Sequence, residues 1–394
     1  MPGPHGYPHG VDKGFAARTH QMEPFLAMEV MERALVLERE GARVLHLEVG
    51  EPDFPPPRAA VEACAEALQA GETRYTDSRG LQELREAIAQ DCASRHGVSV
   101  EPSRVLVTSG SSAAMLLVFS LLVDPGDEVI LGTPHYPCYP NFVRACGGKP
   151  VFVRCDPERG YPIDVDAVRA CCNSRTRALV IASPANPTGA VQSEASLREL
   201  AGLGLPIISD EVYDGLVYDG ARAVSGLRVT EQVYVLDGFS KRYAMTGFRL
   251  GWLVAPPEAM RALRTLQQNL FISANRFVQH AGIAALRDGA ETVVDMCSAY
   301  QKRRDRLVDG LRALGLGVPV SPQGAIYVFA DARAFDGDSR RLAFELLERA
   351  HVGVAPGVDF GEAGEGWLRF CCAASEATID EALERLAGVL PELK

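Results

Sequence analysis

Lysine is scarce in this sequence, with five lysines among 394 residues. No run of basic residues is dense enough to follow a nucleic-acid backbone, and the formal net charge is −11, so nucleic acid is not an expected partner. The longest apolar stretch, 113–123, is about half of the roughly 20 residues that a membrane helix needs. The first residues also lack the charged-then-apolar order of a secretory signal. We therefore expect neither nucleic acid nor a membrane as a partner.

Paired cysteine motifs are also missing. The ten cysteines are scattered and none forms a CxxC motif, so the sequence predicts neither a zinc site nor a disulfide framework. Buried, reduced cysteines are typical of a cytoplasmic protein, and we expect this location and no metal site.

What the sequence does contain is an alternation of short apolar runs and helical patterns. The chain is longer than one hydrophobic core usually supports, so we expect two domains. Strands separated by helices indicate an α/β fold in which helices cover a mostly parallel sheet. Ligand-binding groups should then cluster where the strands end. The seven predicted strands are 105–108, 128–131, 151–154, 178–182, 206–209, 233–236 and 250–254.

The two ends of the chain carry other patterns. Residues 1–20 are rich in proline and glycine and predict an irregular arm. A helical pattern covers 24–41, a long helical stretch runs through 260–311, and a closing helix covers 379–390. We predict a smaller α+β domain from 21–46 and 291–394, with 47–290 forming the large, ligand-binding domain.

The segment 238–251, GFSKRYAMTGFRLG, carries the strongest chemical signal. Lys241 is the one lysine set among small and apolar neighbours, where desolvation can neutralise the amine for imine formation. A lone lysine is more often a solvated surface group. The segment nevertheless resembles the lysine motif of the class I and II aminotransferases, pyridoxal-phosphate enzymes of fold type I. The resemblance extends in order over roughly residues 25–372, and it implies that Lys241 holds pyridoxal 5'-phosphate as a Schiff base.

The resemblance assigns further residues to the cofactor ring. Asp210, in the segment SDEVY, would pair with the pyridine nitrogen and keep it protonated, and Tyr213 would donate to the phenolic oxygen. Asn186, in SPANPTG, would touch that oxygen and the substrate carboxylate; the resemblance also implies a cis peptide before Pro187. Tyr136 would stack on the ring. A capped loop and a common turn are the competing interpretations of the first two motifs.

Four residues are expected around the cofactor phosphate. Ser111 and Ser112 join a predicted strand to a helix, whose N-terminus makes an anion site; either serine could also be the helix N-cap. By resemblance, Arg249 adds charge there and Ser240 a hydroxyl. Many relatives carry a serine three residues before the lysine, where this chain has Gly238.

Two segments concern the substrate, and one concerns a second subunit. Gly50 matches a glycine whose backbone meets the substrate carboxylate, although a plain turn glycine is an equal alternative. Arg369, in WLRF, would capture the α-carboxylate with its planar fork; a buried salt bridge competes. Tyr75 matches the tyrosine that reaches the phosphate of the neighbouring subunit, which implies a homodimer.

The resemblance implies an aminotransferase of amino acid metabolism that moves an amino group from an L-amino acid to a 2-oxo acid by a ping-pong mechanism. A lyase of the same fold, such as a carbon–sulfur lyase, is the first alternative, because orientation over the ring decides which bond breaks. A non-catalytic cofactor-binding regulatory module is the second. Dependence of the product on a keto acid favours transfer over elimination, and steady turnover eliminates the regulatory module. The amino acid itself stays open.

Overall fold

The computed structural model describes residues 15–393, which contain twelve α-helices and twelve β-strands. The helices are α1 Leu26–Arg39, α2 Arg58–Gln69, α3 Gln82–His96, α4 Ser111–Leu122, α5 Cys138–Ala145, α6 Val165–Cys171, α7 Glu194–Ala201, α8 Met260–Leu270, α9 Arg276–Asp288, α10 Ala290–Ala313, α11 Ser339–Ala350 and α12 Glu376–Val389. The strands are β1 Leu45–His46, β2 Val105–Thr108, β3 Glu128–Thr133, β4 Lys149–Arg154, β5 Thr176–Ala182, β6 Ile207–Asp210, β7 Val233–Gly238, β8 Gly251–Val254, β9 Tyr327–Asp331, β10 Val352–Gly353, β11 Ala355–Pro356 and β12 Trp367–Cys371.

A seven-stranded sheet forms the centre of the molecule, in the order β2-β8-β7-β6-β5-β3-β4. Strand β8 pairs antiparallel with both of its neighbours, and the other pairs are parallel. In every strand except the edge strand β4, alternate residues enter two different cores; in β7, for example, Val233 and Val235 belong to one core and Tyr234 and Leu236 to the other. Burial of both faces explains why these strands are nearly continuous apolar runs. The prediction of a mostly parallel, helix-covered sheet is confirmed.

The carboxyl ends of β2, β5, β6 and β7 lie on one edge of this sheet, because β2 and β7 each run antiparallel to β8. The segments that follow these strands therefore meet at one place. They begin after Thr108, Ala182, Asp210 and Gly238. The four predicted motifs of the large sheet thus converge on a single region, as expected for an open α/β sheet.

Two smaller sheets accompany the large one. Strands β11, β12 and β9 form an antiparallel sheet, and β1 pairs with β10 in parallel. Their apolar residues form a core of their own with α10, α11 and α12. This packing supports the predicted small domain, 21–46 with 291–394, although Phe25 and Ala27 at the start of α1 pack against a core of the large sheet. The boundaries stay a prediction.

The N-terminal arm is described only from residue 15 onward, so most of the predicted arm, 1–14, lies outside the described residues. A short 3-10 helix, Ala17–Gln21, lies against α5. Glu23 and Asn141 exchange hydrogen bonds of 3.2 and 3.0 Å between the backbone of Glu23 and the Asn141 amide.

The predicted helical stretch 260–311 consists of three helices, α8, α9 and α10, interrupted at 271–275 and at Gly289. Within residues 15–393, none of the helices has both the length and the apolar composition required to cross a membrane.

Candidate active site

A cavity of about 240 Å³ lies at the carboxyl edge of the large sheet, where the small antiparallel sheet closes over it. It collects side chains from four strand ends, from the first turn of α1 and from β9 and β12. Residues far apart in sequence are therefore neighbours here. The predicted site residues that line it are Gly50, Ser111, Ser112, Tyr136, Asn186, Asp210, Tyr213, Lys241 and Arg369.

Lys241 lies in the turn that follows β7 and projects its amine into the cavity. Nζ donates a hydrogen bond of 2.5 Å to the carbonyl oxygen of Gly50. Burial lowers the pKa of Lys241 from 10.5 to about 8, because desolvation penalises the charged form. Among residues 15–393 no carboxylate pairs with it within 4.0 Å. The amine therefore reaches its neutral, nucleophilic form near neutral pH more readily than a surface lysine does.

Asp210 is the last residue of β6 and is buried. Its Oδ2 accepts a hydrogen bond of 2.5 Å from the Tyr139 hydroxyl, and its Oδ1 accepts one of 3.3 Å from the backbone N–H of Val212. Burial raises the pKa of Asp210, and these hydrogen bonds oppose the rise. A desolvated acceptor that lines the cavity can bind a protonated ring nitrogen strongly.

Tyr139, three residues after Tyr136, has no assigned role in the sequence motifs above, yet it lines the cavity and its hydroxyl holds Asp210. The Tyr136 ring meets the Tyr139 ring edge-on at 5.3 Å between centroids. The Tyr213 hydroxyl lies 2.6 Å from the hydroxyl of Tyr327 on β9. Tyr327 was not predicted as a site residue, because its segment, 325–330, carries no motif beyond a run of apolar residues.

Arg369 on β12 is buried and lies between two aromatic rings. Its guanidinium carbon lies 4.3 Å from the Tyr327 ring centroid and 4.9 Å from that of Phe360. Nη1 donates to Asn186 Oδ1 at 3.1 Å, Nη2 donates to the carbonyl oxygen of Glu48, and Nε has no partner. No carboxylate in the described chain pairs with this guanidinium. The alternative of a buried salt bridge is therefore wrong, and the charge is available to a ligand carboxylate.

Helix α4 points its N-terminus into the cavity with Ser111 and Ser112 as its first residues. The N-cap is Gly110, with φ 80°, and no side chain caps the helix, so neither serine is the N-cap. A Cβ on Gly110 would lie 2.5 Å from Nη2 of Arg249. Arg249 has a left-handed backbone, φ 53°, which is uncommon for a residue with a side chain. A helix N-terminus with a guanidinium beside it is suited to binding an anion.

Gly50 lies beside the lysine amine for a steric reason. A Cβ at this position would lie 1.8 Å from the Tyr327 hydroxyl oxygen. Its φ is not among the positive values of this chain, so a turn conformation does not explain the glycine. Only a residue without a side chain lets the backbone carbonyl reach Lys241 while Tyr327 occupies its place.

Three predicted residues lie outside the cavity lining. These are Tyr75, Ser240 and Arg249. Tyr75 is 77% exposed, Ser240 is partly buried in the turn before Lys241, and Arg249 reaches Gly110 from outside. At Gly238, where relatives often carry serine, a Cβ would lie 3.1 Å from the Gly251 Cα, because β7 and β8 approach closely there.

The peptide bond between Asn186 and Pro187 is cis, as the resemblance implied. Among the residues that sequence reasoning missed, Phe25, Ala27 and Met28 in the first turn of α1 line the cavity. Their apolar spacing predicted a helix correctly, but a helical pattern does not distinguish a core face from a face that borders a cavity.

Comparisons with known proteins agree with this arrangement. A family model described as aminotransferase class I and II matches residues 42–386. The chain is 39% identical over 385 residues to an aspartate/prephenate aminotransferase of Thermus thermophilus, covering 96% of this chain and 99% of that protein. It is 37% identical over 375 residues to a valine–pyruvate aminotransferase of Mycobacterium tuberculosis, covering 93% and 96%. A solved aspartate aminotransferase from Thermus thermophilus with maleate superposes with a TM-score of 0.91 at 40% identity, covering 96% of this chain and all of that one.

Proposed function

The chain belongs to the class I and II aminotransferases, which depend on pyridoxal phosphate, and we propose that Lys241 is its cofactor-bearing lysine. It transfers an amino group from an amino acid to a 2-oxo acid in two successive half-reactions. The observation that carries the assignment of Lys241 is a buried amine that faces the cavity, has a pKa lowered to about 8 and has no carboxylate partner among the described residues.

The cavity residues fit the cofactor at both of its ends. The α4 N-terminus and the Arg249 guanidinium beside Gly110 suit a phosphate, with Ser111, Ser112 and Ser240 as hydroxyl donors. The buried carboxylate of Asp210 suits a protonated ring nitrogen. When bound, pyridoxal phosphate supplies an aldehyde carbon for the amino group and a ring that accepts electron density from the substrate Cα.

Around the ring, we assign Tyr136 to one face and Asn186 and Tyr213 to the phenolic oxygen. The Tyr136 ring is held edge-on against Tyr139, which limits its rotation. The Tyr139 hydroxyl keeps Asp210 oriented and favours its ionised form. Since ionised Asp210 attracts a proton on the ring nitrogen, this pair maintains the charge that the reaction needs.

The substrate α-carboxylate is assigned to Arg369, assisted by Asn186 and by the backbone at Gly50. The Arg369 guanidinium is fixed by two hydrogen bonds and two rings and still has an unpartnered Nε. A carboxylate held there places the substrate Cα near Nζ of Lys241. The neutral amine is placed to accept the Cα proton and then, as the ammonium, to donate it to the carbon that takes the amino group. This is general acid–base catalysis by a group with a pKa near neutrality.

We also propose a cytoplasmic homodimer in which Tyr75 reaches the partner's phosphate site. Tyr75 exposes 77% of its surface outside the cavity of its own chain. All ten cysteines are free, which agrees with a reducing compartment. Sedimentation of the holoenzyme at several concentrations tests the dimer, and a monomer with full activity would contradict the role of Tyr75.

The test of the catalytic assignment is Lys241→Ala. We expect loss of the cofactor's protein-linked absorbance and a decrease in turnover of at least about 10²–10⁴-fold, the usual contribution of a positioned proton-transfer group. Lys302→Ala is the matched control, because Lys302 is exposed on α10 and does not line the cavity. Turnover retained by Lys241→Ala would refute the assignment.

A further inference from the structure

One wall of the cavity has no role in the assignments above. It consists of Phe25, Ala27 and Met28 in the first turn of α1, with Val49 beside Gly50. All four side chains are apolar. Phe25 meets the ring of Tyr136 edge-on at 6.2 Å between centroids, so the wall borders the residue assigned to the ring face.

The charged residues that line the cavity differ in whether they remain free to bind a substrate side chain. The basic residues in the described lining are Lys241 and Arg369, and the acidic ones are Glu48 and Asp210. Arg369 is committed to the α-carboxylate and Lys241 to the cofactor and the Cα proton. A second carboxylate on the substrate would meet an apolar wall where the described lining offers no further cation, and its desolvation there is unfavourable.

The N-terminus of α1 could otherwise offer an anion site, but its N–H groups are already bound. Asp359 accepts hydrogen bonds from the backbone N–H groups of Leu26 and Ala27, at 2.9 and 3.1 Å. The N–H groups of Met28 and Glu29 both donate to the Phe25 carbonyl, at 2.9 and 3.4 Å. The partly buried carboxyl of Asp359 therefore fixes the wall and excludes a second anion from the helix end.

We propose that this first turn of α1 receives the substrate side chain and selects amino acids with apolar side chains over aspartate and glutamate. The inference rests on the proposed function, since it takes Arg369 as the α-carboxylate site. Phe25, Ala27 and Met28 are its specificity-determining residues, and Asp359 is a positioning residue that acts through them.

The test compares two unreactive carboxylates on the holoenzyme by calorimetry. 4-Methylpentanoate carries one carboxylate and a branched apolar tail, and maleate carries two carboxylates. We expect 4-methylpentanoate to bind at least about tenfold more tightly, since even one methylene in an apolar pocket changes discrimination by roughly 10–200-fold. Tighter or equal binding of maleate would overturn the proposal, as would the absence of binding by both ligands.

A charge placed on the wall provides the second arm. Met28→Lys should reverse the preference by at least about tenfold, because the long side chain can keep its amine at the cavity while its stem replaces methionine. Met22→Lys is the matched control, since Met22 and Met28 are 38% and 39% exposed but Met22 does not line the cavity. An unchanged preference in Met28→Lys, or the same change in both variants, would also refute the proposal that this wall selects the substrate side chain.

Steady-state turnover separates this inference from the proposed function. We expect kcat/KM for leucine or valine to exceed that for aspartate in the unmodified enzyme. A clear preference for aspartate would leave the aminotransferase assignment intact and would contradict only the proposed selection of apolar side chains by the wall. Turnover that survives in Lys241→Ala would instead refute the catalytic assignment on which the inference rests.

Discussion

Two groups of buried or partly buried charges meet in sequence at Lys241 and Arg242 and are organised in opposite ways. In the active-site cavity, Lys241 and Arg369 have no carboxylate within ion-pair distance in the described chain. Behind the lysine loop, Arg95 at the end of α3 contacts three carboxylates, those of Asp91, Asp214 and Asp237. Arg242, the neighbour of Lys241 in sequence, belongs to this second group through Asp91.

The Arg95 cluster joins the segments that carry the site. Asp214 lies in the turn after Asp210, and Asp237 lies four residues before Lys241. The Arg95 distances to Asp91 and Asp237 are 2.6 and 3.0 Å. Burial raises the pKa of Asp237 to about 7 in spite of Arg95, so the cluster tolerates a proton at this position. Through Asp214 and Asp237, Arg95 connects the segment that carries Asp210 to the segment that carries Lys241.

The comparison shows that paired and unpaired buried charges differ in their effects on stability and on ligand binding. A paired cluster stabilises the fold only while it is complete, because loss of one partner leaves the others buried and unsatisfied. Unpaired charges cost stability in the free protein and become satisfied when a ligand arrives. The following substitutions test this difference, from the largest expected effect to the smallest.

Arg95→Met should destabilise the protein most. The substitution leaves buried carboxylates without their guanidinium, and we expect the free energy of unfolding in urea to fall by about 3–5 kcal/mol. Arg198→Met is the control, because Arg198 and its ion-pair partner Glu194 expose 55% and 37% of their side chains, and we expect a much smaller loss there. Equal losses in the two variants would remove the distinction between cluster and surface.

Arg369→Met should lower activity more than it lowers stability, in contrast to Arg95→Met. No carboxylate of the described chain is left unpaired, and the lost contacts are hydrogen bonds to Asn186 and to the Glu48 carbonyl. We therefore expect a smaller loss of unfolding free energy than in Arg95→Met. The substrate carboxylate loses hydrogen bonds to a charged group, each contributing about 1.5–3 kcal/mol, so kcat/KM should fall by roughly 10²-fold or more. Arg333→Met, at an exposed arginine outside the cavity lining, is the kinetic control. A large loss of stability in Arg369→Met would show that the arginine is structural.

Lys241→Met should stabilise the cofactor-free protein. The folded pKa of about 8 lies below the ordinary value of 10.5, so the folded state penalises the protonated amine. The penalty is complete below pH 8 and disappears as the pH rises from 8 to 10.5. We expect the variant to gain up to about 3 kcal/mol at pH 7, and the gain to vanish near pH 11 in thermal unfolding curves. A gain that does not depend on pH would contradict the desolvated lysine.

Tyr139→Phe should have the smallest effect. It removes the hydroxyl that donates to Asp210 at 2.5 Å, which raises the pKa of Asp210 and weakens its hold on a protonated ring nitrogen. One hydrogen bond to a charged group contributes about 1.5 kcal/mol, so the dissociation constant of the cofactor should rise roughly tenfold in a fluorescence titration. Tyr161→Phe is the control, because the buried Tyr161 hydroxyl has no hydrogen-bond partner. Equal changes would show that Tyr139 acts through packing alone.

The sequence predicted the fold well where a local run of apolar residues was sufficient to identify an element. Each of the seven predicted sheet strands overlaps an observed strand, because burial on both sheet faces makes the strands visible as apolar runs. The helical stretch 260–311 was less accurate, since its periodicity continues through the breaks at 271–275 and Gly289. A break in a helix depends on tertiary contacts that periodicity does not record.

For the site, too, residues with a local sequence signal were predicted and residues without one were not. Residues in recognisable segments, such as Lys241 and Asp210, were named in advance, whereas Tyr327 was not. Tyr327 contacts Tyr213 from 114 residues away and explains why position 50 is glycine. Neither relation has a local sequence signature.

By itself, then, the sequence determined the strand and helix pattern, the family and the segments that carry the chemistry, because these depend on residue type and local spacing. Only the tertiary structure decided which charges are paired. Lys241 and Arg242 are adjacent in sequence, yet one faces the cavity without a carboxylate and the other pairs with Asp91 on α3. Burial and pairing are properties of neighbours in space, and they give two adjacent basic residues opposite electrostatic environments.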